Sequence, residues 1–152
     1  MKARPDFSEQ GIAAIVRDGL VAGAIASIFS GIPSTIYSFI NGRDPLEASY
    51  AAGSILVGHD APKERQLAAA VPVHLGISLF WGVVVAFVLP RKRTVPSGAA
   101  AGAAIAALDL GLIGPRFPLI SALPKGPQIA DHVAFGTMVA VALRHVGSGL
   151  NH

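Results

Sequence analysis

The chain contains no cysteine, which removes disulfide frameworks, thiolate metal sites and cysteine nucleophiles. Charge is scarce: Asp, Glu, Lys and Arg make up 14% of residues, against roughly 25% in a soluble domain. That is too little to cover a water-facing surface. Apolar side chains take its place, at 52% of 152 residues and a mean hydropathy of +0.56. This length makes one domain, and its composition places that domain in a lipid bilayer. The small basic surplus, +3 with a pI near 9.7, suits anionic lipid headgroups. Nothing in the charge pattern reads nucleic acid.

Uncharged stretches fall in four places. Gly19 to Ile40 runs 22 residues without a charge and Leu67 to Leu89 runs 23. Gly98 to Gly114 runs 17 with one charge, Asp109, and Ile129 to Leu143 runs 15 with Asp131 near its start. Crossing hydrocarbon takes about 20 apolar residues. The first two stretches meet this outright. The last two are short but pair naturally as a hairpin. The expected fold is all-α: an integral membrane four-helix bundle of two helical hairpins, with spans about 19–40, 67–89, 98–114 and 128–146. A signal peptide is the competing reading of the first span. Asp6, Glu9 and Asp18 disagree with it, and 22 apolar residues exceed the usual roughly 7–15, so retention is expected.

Lys and Arg set the orientation. Lys2, Arg4, Arg17, the Arg91-Lys92-Arg93 cluster and Arg144 give 7 on one side; Arg43, Lys63, Arg65, Arg116 and Lys125 give 5 on the other. The cluster lies against two membrane ends, where charge counts most, so both termini are read as cytoplasmic. Residues 41–66 and 115–127 then form external loops. The first opens with the turn signal NGRDP, and Leu46, Tyr50, Ile55 and Leu56 give part of the apolar face of a short interfacial helix. The second, with four prolines in PRFPLISALPKGP, cannot be helical throughout and should form a compact cap.

Small residues recur every fourth position, as close helix approach in lipid requires. The stripes are Gly19-Gly23-Ser27-Gly31, Ser78-Gly82-Ala86, Gly98-Gly102-Ala106 and His132-Gly136-Ala140. They predict a tight bundle with little internal volume. Pro33 and Pro72 interrupt two spans and free the carbonyls of Phe29 and Ala68. A freed carbonyl inside a membrane needs protein or water to satisfy it.

Placed by depth at about 1.5 Å per residue, the polar groups of the spans share one slab in the outer half of the membrane. They are Ser34 and Tyr37 on the first, His74 on the second, Asp109 on the third, and Asp131 and His132 on the fourth. Helical phase turns most of them toward the small-residue faces. Asp109 stands out, because an ionised carboxylate in a span is normally paired or functional. Its candidate partners are His74, His132 and Arg116. A His–Asp contact would fix one imidazole tautomer, as in a proton relay; the bland alternative is a buried network that fixes helix register. Asp131 and His132, near a helix start, suggest capping. The metal reading takes His74, His132 and Asp109 as ligands, though their spacing matches no ligand motif. Haem between two histidines conflicts with tight packing. Ser34, His74 and Asp109 are the right types for serine hydrolysis but lack an elbow motif.

RDPL (Arg43–Leu46) and RFPL (Arg116–Leu119) suggest an internal repeat. If it is real, Arg43 and Arg116 would flank the polar layer and favour an anionic group. With the GRDPLEA turn, Asp109 in the third span and IADHVAFG opening the fourth, the chain resembles a set of small bacterial four-helix integral membrane proteins that lack an assigned activity. The resemblance implies an inner-membrane location and supplies no catalytic residues. The expected function is that of a small accessory or ligand-binding membrane protein, assembling with itself or with a membrane partner. The alternatives are an intramembrane metal or haem enzyme using His74, Asp109, Asp131 and His132, and a proton-coupled small transporter acting as an oligomer.

Overall fold

The computed structural model describes residues 9–90 and 95–148, which are helical with no strand. Lys2, Arg4 and the Arg91-Lys92-Arg93 cluster, on which the orientation rests, lie outside the described residues. The elements are α1 (Glu9–Phe29), α2 (Ile32–Ile40), α3 (Glu47–Val57), α4 (Lys63–Val88), α5 (Val95–Leu108), α6 (Pro118–Ala122) and α7 (Lys125–Ser148). A π-helical turn (Asp109–Ile113) and a 3₁₀ turn (Gly114–Arg116) link α5 to α6. Three stretches are long and apolar enough to cross a membrane: Gly11–Ile40, Lys63–Val88 and Val95–Arg116. α7 matches them in length with 24 residues, but carries Lys125, Asp131, His132, Arg144 and His145.

The small-residue stripes set the helix contacts. α1 packs on α4 and α7, and α5 packs on α7. A Cβ on Gly23 would lie 2.5 Å from the Ser78 carbonyl oxygen, and one on Gly82 would lie 2.7 Å from Gly23 Cα. At the second crossing, a Cβ on Gly98 would lie 2.5 Å from the Gly136 carbonyl oxygen. Both crossings therefore depend on hydrogen as the side chain. Around them Ala22, Ala26, Val85, Ile105, Phe135, Val139 and Leu143 form the core.

Beyond the first crossing the chain breaks. At Pro33 the helix is interrupted outright: α1 ends at Phe29, Ser30 and Gly31 form a turn, and α2 restarts at Ile32 with Pro33 in its first turn. Proline suits that position because its missing N–H has no intrahelical partner there. Pro72, by contrast, is carried inside a continuous α4. After the break α2 leans on α7.

The loop 41–66 holds a short helix, as the sequence suggests, and packs it on the bundle through small residues. Gly42 turns the chain at φ +64°, and the Arg43 N–H donates to the Ser38 carbonyl at 2.8 Å. α3 then packs on α4 through Ala51, Gly53 and Ser54. A Cβ on Gly53 would collide with the Gln66 carbonyl. Leu46 and Leu56, expected on the apolar face, are 42% and 64% exposed. α3 also touches α6, so both connecting segments lie at the same end of the molecule.

A cleft at a broken helix

The main correction to the sequence reading is volume. The helices close tightly around the glycine crossings but diverge toward the α3/α6 end, where they enclose a cleft of about 730 Å³. Gly31, the last member of the first small-residue stripe, has no neighbour within 4 Å of where a Cβ would stand and lines this space. The break explains the cavity: once α1 stops, α2 follows α7, and the gap beside α4 stays open. Trp81, Ile105 and Phe135 line the cleft on the core side.

Ser34, His74, Asp109, Asp131 and His132 all line the cleft. Their partners differ from those expected. The His74 Nε2–H donates to the Ser27 carbonyl at 2.9 Å, so His74 engages neither Asp109 nor Ser34. Ser27 is in the last turn of α1, where carbonyls have lost their helical donors. The bond therefore caps the C-terminal, negative end of α1 from α4. Asp131 lies nearly two turns into α7 and does not cap its own helix. Its Oδ1 accepts the Ser34 N–H at 2.9 Å, which caps the N-terminal, positive end of α2. One break is thus satisfied on both sides by two other helices.

Asp109 does meet His132. Its Oδ2 lies 3.3 Å from His132 Nε2, and His132 Nδ1 lies 2.8 Å from the Gln128 carbonyl oxygen. A carbonyl only accepts, so Nδ1 carries hydrogen. The Nε2···Oδ2 contact then needs one further proton, on imidazolium or on carboxyl. In either form the pair is neutral overall, which suits a site of low dielectric. Asp109 also opens the π-helical turn, and the Gly114 N–H donates to its carbonyl. π-turns inside helices are frequent at functional sites. Gly114, which closes this turn, marks the end of the third span in the sequence, and nothing there announces a π-turn.

The remaining candidates lie off the cleft. Tyr37 is 36% exposed and is absent from its walls. Arg43 forms a two-pronged pair with Glu47, at 2.8 and 2.9 Å, and Glu47 also accepts from Ser38 Oγ at 2.9 Å. The hydrogen bond from Arg43 holds the Glu47 carboxyl below the usual range; its counterpart raises the guanidinium. Arg116 donates to the Leu112 carbonyl one turn back. Neither arginine of the suspected repeat faces the polar layer. Among the described residues, no three His, Asp or Glu side chains group as metal ligands. The Nε2 atoms of His74 and His132 are each engaged with protein.

No family model, curated protein or solved structure matches the chain.

Proposed function

We propose that this is a multi-pass protein of the bacterial inner membrane, a four-helix bundle that binds an amphiphilic ligand in its cleft as an accessory or ligand-binding component. One observation carries the reading: polar groups from α2, α4, α7 and the π-turn line a cavity that is mostly apolar. Ligand sites are typically concave, mostly apolar, about 300–1,000 Å³ in volume and oriented by a few polar groups. α7 serves as the fourth span. It buries Phe135, Val139 and Leu143 in the core, and its Asp131 and His132 are spent on protein partners, which lowers their cost in lipid. The charge bias then sets the α3/α6 end outside, and the cleft in the outer half of the bilayer.

Native mass spectrometry of the protein in a mild detergent, without additives, tests this. The expected spectrum shows a small-molecule increment on the wild type that is lost or weakened in Asp109→Asn. A bare chain, or one holding only a protein partner, would reduce the polar wall to a structural network.

The broken first helix favours one second reading. Discontinuous helices with exposed ends line the substrate sites of many secondary transporters, and the Asp109–His132 contact holds one shareable proton. On that reading the protein would be a proton-coupled carrier acting as an oligomer, and proteoliposomes would show proton uptake that Asp109→Asn abolishes with the fold intact.

A further inference from the structure

We infer that the cleft takes an uncharged, hydroxyl-bearing lipid that enters sideways from the bilayer between α2 and α4. This rests on the ligand-binding reading above. The route follows from what closes the other sides. α3 packs on α4 and touches α6, and both contribute to the cleft lining at the loop end, through Ala52, Ile55 and Ile120. α3 is stapled there: Glu47 holds Ser38 and Arg43, Lys63 lies 3.4 Å from Asp44 and stands over the Tyr50 ring. The far side is shut by the α1–α4 glycine crossing. α2 and α4 lack packing comparable to that of α1 on α4, α3 on α4 or α5 on α7. Their cleft-lining residues are also outward-facing: Ile32 and Ile36 on α2 are 46% and 51% exposed, Val71 and Phe80 on α4 are 69% and 61% exposed. In a bilayer that gap faces acyl chains, not water.

The head of the ligand follows from the polar wall. No Lys or Arg lines the cleft among the described residues. The wall offers two carboxyl groups. Asp109 gives one oxygen to His132 and Asp131 gives one to Ser34; a carboxylate has about four acceptor sites, so each has capacity left. A carboxylate or phosphate head would find no Lys or Arg to pair with and would face the Asp131 carboxylate, since the Asp109–His132 pair is neutral overall, and an ammonium would lose its hydration. A hydroxyl donates without either cost.

Photolabelling separates these outcomes. Protein in nanodiscs of one phosphatidylcholine is exposed to a diazirine-bearing hexadecanol or to the matching diazirine hexadecanoic acid, and labelled peptides are mapped. The alcohol should label residues 32–40 and 67–81, saturate with unlabelled hexadecanol, and exceed the acid by at least about tenfold, as like-charge rejection implies. Val71→Trp and Ile36→Trp, at exposed positions that tolerate bulk, should each reduce alcohol labelling by a similar factor. Saturable labelling by the acid overturns the hydroxyl head. Saturable labelling that ignores both tryptophans overturns the lateral route. Uniform, unsaturable labelling by both probes overturns the ligand-binding reading itself.

Discussion

Asp131 shows how far a single side chain can act from its own helix. Its carboxylate holds the Ser34 amide across 97 positions of sequence. Asp131→Ala leaves that N–H unsatisfied and should cost about 1–3 kcal/mol. Asp131→Asn keeps an acceptor oxygen and should cost much less. Thermal unfolding of both variants in one detergent reads the difference, and equal losses would discard the capping role. Glu47 provides the pH dependence. Its folded carboxyl is lowered by Arg43, so its contribution is full above the unfolded value near 4.3 and disappears as pH falls through the folded value. Glu47→Gln should therefore flatten the acid limb of the stability profile. The effect is small, because the pair is exposed. The presence of chemistry at His74, Asp109, Asp131, His132 and Ser34 was legible in the sequence, since charge and imidazole are conspicuous in apolar spans. Their pairings were not. A main-chain carbonyl has no side-chain signature, and Ser27, at the helix break, and Gln128, inside α7, act through such groups.

Glycines on one helix need not be equivalent. Gly82 lies against the backbone of α1 near Gly19 and Gly23, whereas Gly76, six residues earlier, has open space around it. Gly82→Ala forces two backbones apart and should lose about 1–3 kcal/mol. Gly76→Ala has no such contact and, with alanine's better helix propensity, should hold or slightly raise stability. Fluorescence-detected size exclusion after heating, on both variants, measures the contrast; a Gly82→Ala protein as stable as Gly76→Ala would contradict the crossing. The four-residue stripes announced these contacts correctly because periodicity alone sets which residues share a face. The open cleft escaped the same reasoning. A stripe of small residues looks the same whether a neighbour fills the groove, as at Gly23, or veers away, as at Gly31. Pro33 carried the missing information. A kink and a full break differ in whether other helices can cap the loose ends, and that depends on residues far along the chain.

The two connecting segments share one end of the molecule, because α3 touches α6. A topology follows when this is combined with the charge bias. Asp60, which is 92% exposed at the side chain, should react as Asp60→Cys with an impermeant thiol reagent on intact cells. Arg144→Cys, near the other end of α7, should react only after permeabilisation. Reaction of both from outside would mean that α7 does not cross, leaving three spans. The absence of native cysteine makes each variant a clean reporter. Helical class and membrane residence were legible in composition, since hydropathy is additive along the chain. Whether α7 is a fourth span was not, because it lowers its hydropathy with Asp131 and His132, whose partners include Ser34 on α2 and Asp109 on the π-turn.

The double capping of the helix break also has a consequence in time. The donor at the end of α1 comes from α4, and the acceptor at the start of α2 comes from α7, which is synthesised after both. Until α7 is made, the Ser34 amide has no carboxylate, and its available partner is the Ser30 carbonyl of a nearly unbroken helix over residues 11–40. The break in the first segment is therefore fixed by helices far along the chain, and its two halves depend on α4 and α7 for their final form. Loss of the Asp131 carboxylate should therefore straighten the first segment and narrow the cleft.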